Sequence, residues 1–262
     1  MNHFERRLTT MILAGAMGLL ALASTVFPTG TLRATFLGGN PVQGRVDPQT
    51  GSVTGPAVDL VRELARRLGV PFTVTALPSV RAVIDSVKTG AADVGFVAFD
   101  PDRAIEVDFS QAYSLAYNTY LVPTRSPIHT VADADRSGVS IGVGNGDAAD
   151  LFLSRTLKYA ELKRNLVGTM AEAERMLAAS EVDAYAANRE RLFEMAAHMH
   201  DIRVLPDNFL AVEQSIIVAK GDTSRLDIVN RFIDDIRASG FIRAALDRAN
   251  LKGTDVAPPR SK

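Results

Sequence analysis

Residues 93–113 read DVGFVAFDPDRAIEVDFSQAY, and the fold turns on how they are read. DVGFVAF is almost continuously apolar after Asp93. A strand buried on both faces, as in a parallel sheet between helices, has that composition. The strand has to end at Asp100-Pro101, because a residue before proline is pushed away from helical angles and proline has no N–H to give a ladder. Arg103 follows at once. It falls near the carboxyl end of a core strand, where open α/β sheets bind their ligands. A guanidinium there can hold a carboxylate with two parallel hydrogen bonds. A surface arginine at this point would instead pair with Asp100, Asp102 or Glu106, and the stretch alone leaves both readings open.

Towards the N terminus, TLRATFL (31–37) predicts a strand, with Gly38-Gly39-Asn40-Pro41 as the loop at its end. PAVDLVRELARRLGV (56–70) predicts a helix. Val61, Leu64, Ala65 and Leu68 share one face, Glu63 reaches Arg67 at i+4, and Gly69 suits the C-terminal stop. PFTVTAL (71–77) is a second strand. Val80, Val83, Ile84 and Val87 stripe a second helix that stops at Gly90. With residues 93–99 this gives β-α-β-α-β, the pattern of a parallel sheet.

Towards the C terminus the pattern repeats. Tyr117–Pro123 is a strand leading away from the first unit. VSIGVGNG (139–146) opens a second unit, and Asp147 is the expected N-cap of the helix after it. Asn165–Gly168 reads as a short strand. Thr169 and Glu172 form a capping-box pattern. VDAYAA (182–187) is a strand, and Asn188 caps a helix carrying Leu192, Met195, Ala196 and Met199. IRVLP (202–206) and QSIIVA (214–219) are strands, and two helices close the chain. Residues 254–262, polar and proline-containing, read as a flexible tail. The layout is α/β with two lobes: residues 30–117 plus 214–253, and an inserted lobe of residues 118–213. Two strand-like crossings, near 117–122 and 213–218, act as the hinge.

Composition narrows the function. The chain has 262 residues, 47% hydrophobic, with 29 basic and 30 acidic side chains. No basic patch stands out, which argues against nucleic acid as a partner. Cysteine is absent, excluding disulfides, thiolate metal sites, cysteine nucleophiles and a lipid anchor. His198 and His200 are two residues apart and would diverge on a helix, so no metal site is expected. MNHFERR, the apolar run from Met11 to Leu22 and Ala21-Leu22-Ala23 make residues 1–23 an export signal, cleaved after Ala23. The expected location is the periplasm.

Taken together, LRATF (32–36), TGPAVDLVRELARRLGVPFTV (54–74), TGAADVGF (89–96), DPDRAIEVDFSQAY (100–113), SGVSIGVGNGDAADLFL (137–153), ASEVDAYAANR (179–189) and SIIVAKGDTSRLDIVNRFIDDIRASGFI (215–242) resemble the family 3 extracytoplasmic solute-binding proteins. These are receptors of ABC-type polar amino acid uptake systems. The resemblance implies a type II periplasmic-binding-protein (Venus-flytrap) fold, a monomer without cofactor, and an ABC-transporter permease as partner. It implies that Arg103 grips the ligand carboxylate, helped by the backbone amides of Ala98 and Phe99. It sets Asn40, Gln43 and Tyr117 at the cleft mouth. The glycine-rich turn with Asn145, Gly146 and Asp147 lies at a helix start suited to anions. Pro56 and Ala57 replace the family's aromatic–Asp pair. Asn188 stands where the family has the aspartate that holds the ligand's ammonium, so carboxylates without an α-ammonium are expected to be accepted. Two other functions fit the same scaffold: an enzyme resembling periplasmic cyclohexadienyl dehydratases, and a loaded sensor partner.

Overall fold

The computed structural model describes residues 29–251 and 253–260. The expected export signal, 1–23, lies outside the described residues. In the first lobe, β1 (Leu32–Leu37) is paired in parallel with β4 (Phe72–Leu77) on one side and β5 (Val94–Ala98) on the other. Helices α1 (Pro56–Leu68) and α2 (Val80–Lys88) make the crossovers. Between β1 and α1 lies a small hairpin of β2 (Arg45–Val46) and β3 (Val53–Thr54). Leu60, Val61 and Leu64 of α1 pack on Leu32, Phe36, Val94 and Phe96. On the other face, Val83, Ile84 and Val87 of α2 pack on Val97. The sheet is therefore covered on both sides, which is why its strands read as continuous apolar runs.

Local chemistry fixes the ends of these helices. Gly55 precedes α1 at φ 119, and a Cβ there would come within 2.7 Å of the Gly44 Cα, so the turn requires glycine. Gly69 closes α1 in the left-handed conformation. Ser79 caps α2, its Oγ accepting from Ala82 N at 3.1 Å.

After β5 the chain makes a 3-10 turn (Arg103–Ile105), then β6 (Val107–Phe109) and the ten-residue β7 (Ser114–Pro123). The second lobe repeats the design. β8 (Ser140–Gly144) lies between β9 (Glu161–Asn165) and β10 (Ala184–Asn188), all parallel. Helices α3 (Ala148–Thr156), α4 (Met170–Ala178) and α5 (Arg189–His198) surround it, with β11 (Ile202–Val204) on β7. β12 (Leu210–Ala219) returns to the first lobe, and α6 (Thr223–Ala238) and α7 (Phe241–Arg248) complete that lobe's core.

The lobes share one sheet. Ser114–Asn118 of β7 pair antiparallel with Leu210–Gln214 of β12. Beyond that ladder β12 pairs with β5, and β7 with β10. The crossing lies at residues 114–118 and 210–214. The expected windows ran further along both strands, but Thr119–Leu121 and Ser215–Ile217 are already bonded inside their own lobes.

Two further expectations are corrected. The strand expected at Asn165–Gly168 is β9, ending at Asn165. Asn165 Oδ1 accepts from Gly168 N at 2.8 Å and turns the chain, while Leu166 and Val167 stay exposed. The tail expected to be loose is ordered over residues 254–260. Thr254–Val256 form β13 against Ser114–Ala116, and Ala257 is buried with its N–H donating to Tyr113 O at 3.2 Å.

Asp93, at the entry to β5, is buried and ties two strands together. It accepts from Arg33 N at 2.8 Å, Nε at 3.1 Å and Nη2 at 2.8 Å. Asp93→Ala is expected to lower stability by about 2–3 kcal/mol, since a buried backbone donor and a guanidinium both lose their acceptor. Urea unfolding checks this, and a change below about 0.5 kcal/mol would contradict it.

Candidate functional site

Central strands of both lobes point their carboxyl ends at the crossing. Ala98, the last residue of β5, lies opposite Gln214, and Asn188, the last of β10, lies opposite Asn118. Gln214 and Asn118 are buried. Around these four residues lies a cavity of about 40 Å³. It has room for roughly three waters. Its charged lining residues are Arg103, Asp147 and Arg191.

Arg103 is 6% exposed. Its Nη1 donates to Ala98 O at 2.7 Å and its Nη2 to Gly146 O, across the cleft, at 2.6 Å. The surface pairing left open by the sequence does not occur. Asp100 is taken by Arg155 Nη2 of the other lobe at 2.7 Å, and Glu106 by Arg81 and Lys88. Among the described residues Arg103 forms no ion pair. Burial pulls its pKa below the ordinary arginine value, with Asp100 and Asp147 opposing more weakly. Two of its five N–H donors are used by these two bonds.

Asp147 precedes α3 in an extended conformation, as a cap residue should. Its side chain, however, makes no cap bond; Oδ2 lies 3.5 Å from Arg191 Nη1. The side-chain capping expected from the sequence is thus corrected. Asn188 caps α5 by accepting from Arg191 N at 2.9 Å, and its Nδ2 donates across the cleft to Asn40 Oδ1 at 3.1 Å. Gln43 is buried, receiving Leu37 N at 3.0 Å and donating to Gln214 Oε1 at 3.3 Å.

Other sequence candidates lie elsewhere. Phe99 is half exposed and edge-on to Phe109, and its N–H donates to Glu213 O at 2.8 Å, so that amide serves β12. The Tyr117 hydroxyl donates to Asp255 Oδ2 at 2.8 Å. Asn145 is exposed. Gly146 contributes its carbonyl to Arg103. Neither Phe99 nor Tyr117 lines the central cavity. Conversely, the cavity gathers Arg191, Asn118 and Gln214, which sequence reasoning passed over. Asn118 and Gln214 sit at the polar middle of long strands, beside Thr119 and between Glu213 and Ser215, and so carried no single mark of their own.

The lobes are drawn together at several points. Arg155 pairs with Asp100 and Asp102, Arg45 with Glu194, and Asn188 with Asn40. Among the described residues no cluster of His, Cys, Asp and Glu could hold a metal ion, and no helix is long and apolar enough to cross a membrane.

Comparison with known proteins agrees with this architecture. A glutamine-binding protein of Geobacillus stearothermophilus is 27% identical over 172 residues, 63% of this chain and 64% of that relative. A crystal structure of a mutant ArgBP from T. maritima superposes with a TM-score of 0.74 at 22% identity, covering 88% of this chain and all of that one. The ancestral amino acid-binding protein AncCDT-1, a precursor of cyclohexadienyl dehydratase, gives 0.73 at 23% identity, covering 86% of this chain and 97% of that one. These neighbours share the two-lobed type II periplasmic-binding fold. Residues 38–250 match the family described as bacterial extracellular solute-binding proteins, family 3, and the chain belongs to that family.

Proposed function

We propose that this protein captures a small carboxylate-bearing solute, an amino acid or a close relative of one, between its lobes and delivers it to an ABC-type permease. In this reading residues 1–23 direct export and are removed after Ala23, and the mature chain acts as a monomer in the periplasm. The observation that carries the proposal is Arg103. A guanidinium this deeply buried is costly without an anionic partner. Here it is held at the cavity wall by main-chain carbonyls, with donors left over for a carboxylate. The first turn of α3 supports the same end of the ligand. Ala148 and Ala149 line the cavity, and the Asp147 side chain leaves their helix terminus uncapped.

A second reading draws on Asp147. Burial pushes its carboxyl above the ordinary range, outweighing the pull of Arg191 and Arg103. A carboxyl whose pKa is raised inside a cleft gives up its proton at higher pH than an ordinary aspartate and is a candidate general acid. That is what an elimination enzyme on this scaffold needs, and the resemblance to AncCDT-1 bears on the same point. Incubation with prephenate or arogenate, followed by product detection, separates the two readings.

Arg103→Ala is expected to weaken binding of the carboxylate ligand about ten- to a hundredfold, the worth of a hydrogen bond to a charged group. Isothermal titration checks this on a variant shown to be folded by circular dichroism. Unchanged affinity would remove Arg103 from the site.

Asp147 gives a pH-dependent prediction. A folded pKa raised above the unfolded value means that the folded chain holds the proton more tightly. The group's stabilising contribution is full below the unfolded pKa, near 4, and is lost as pH rises through the folded one. Asp147→Asn removes this titration. The variant's melting temperature relative to wild type is therefore expected to climb as pH rises above the unfolded carboxylate pKa, about 4, in ligand-free protein. A difference that is flat or falls with pH would show that the carboxyl is not raised.

A further inference from the structure

Arg191 is a second buried guanidinium in the cavity wall, and the clamp formed by Arg103 does not use it. It is 5% exposed. Its Nη2 donates to Gly168 O at 3.1 Å, and its Nη1 faces Asp147 Oδ2 at 3.5 Å, longer than an ordinary charged hydrogen bond. Its Nε is buried with no hydrogen-bond partner. Buried polar side-chain atoms are paired in the large majority of cases, so an unpartnered guanidinium N–H beside a cavity is a feature to be accounted for. Arg191 also occupies the first turn of α5, the end of a helix where negative charge is favoured.

The charges around the cavity point the same way. Arg103, Arg191 and Asp147 together leave one positive charge in excess. A neutral amino acid, as a zwitterion, would leave that excess in place. Two guanidiniums can each take one carboxylate, so a ligand with two carboxylates engages both; with an ammonium its net charge of −1 cancels the excess, and without one it exceeds it by one. If the ligand also carries an ammonium, Asp147 is the acid in the same cavity lining, 3.5 Å from Arg191 Nη1. The cavity is small, which favours a short ligand, and the side-chain amides of Asn40, Asn118, Asn188 and Gln214 line it beside the charged groups.

We infer that Arg191 forms a second anion subsite, and that the solute is a short dicarboxylate, with or without an α-ammonium. The inference rests on the clamp reading of Arg103.

The test is isothermal titration of ligand-stripped protein with four probes: succinate, L-aspartate, butyrate and L-alanine. Each dicarboxylate is expected to bind about ten- to a hundredfold tighter than its monocarboxylate counterpart. In Arg191→Gln that ratio should fall to within about threefold, while Arg191→Lys should keep most of it. A residue that only braced the fold would weaken both members of a pair alike and leave the ratio unmoved. L-Aspartate against succinate reports whether an ammonium is held. Monocarboxylates that bind as tightly as dicarboxylates in the wild type would overturn the second subsite and leave the Arg103 clamp standing. So would a ratio that survives in Arg191→Gln. Failure of all four probes to bind would overturn both. If Arg191→Gln does not fold, the wild-type ratio and the lysine variant still decide.

Discussion

A guanidinium taken out of water at the junction of two lobes is the constraint around which this cleft is arranged. Arg103 reaches Ala98 of its own lobe and Gly146 of the other with the same end group. Main-chain carbonyls satisfy donors without neutralising charge. The positive charge is thus stabilised enough to remain buried but is left without an acid. Every neighbouring acid that could have taken it is engaged elsewhere or set back. Asp100 is turned to Arg155, Glu106 to Arg81 and Lys88, and Asp147 towards Arg191. The same arrangement requires the Asp100-Pro101 break, because the chain has to leave β5 and double back for the Arg103 side chain to return to Ala98.

Much of this was legible in the sequence, and the reasons are physical. Parallel strands covered by helices on both faces write themselves as apolar runs, so β1, β5, β8 and β10 stand out. Helix stops at Gly69 and caps at Thr169 and Asn188 act through the adjacent backbone and need no knowledge of tertiary structure. Arg103 became a candidate because it follows a core strand directly, and the family resemblance favoured the ligand role over a surface ion pair. What escaped detection depends on contacts between distant segments. β13 is three residues long and gains its order from the β7 edge and from the burial of Ala257, neither visible in a polar tail. Leu166 and Val167 suggested a strand by composition, yet the Asn165 side chain bends the chain first. Arg191 carries no local mark at all. It is one of several charged residues opening a helix, and its position in the cleft follows from where β10 ends against β7.

Phe99 and Tyr117 show the opposite error. The resemblance set the Phe99 amide and Tyr117 near the ligand, but the Phe99 N–H is bonded to Glu213 O and strand geometry alternates side chains between faces. Phe99, next to Ala98, turns to Phe109, and Tyr117, next to Asn118, turns to Asp255. In each pair the residue that faces the cavity is the smaller one, and the aromatic packs outside it.

The ties between the lobes differ in what they can contribute to closure. Arg155 and Arg45 are each nearly half exposed, and ion pairs of that kind are worth about 0–1 kcal/mol. They align the lobes more than they hold them shut. Closure by itself also buries Arg103 and Arg191 in a cavity with one acid between them, which opposes it. An anionic solute reverses the sign of that second contribution, because charges that resist burial become the groups that bind. A ligand can shift an opening equilibrium only by its differential affinity for the two states. In the proposed reading that difference comes from Arg103 of one lobe and Arg191 of the other, which line the same cavity when the lobes are together.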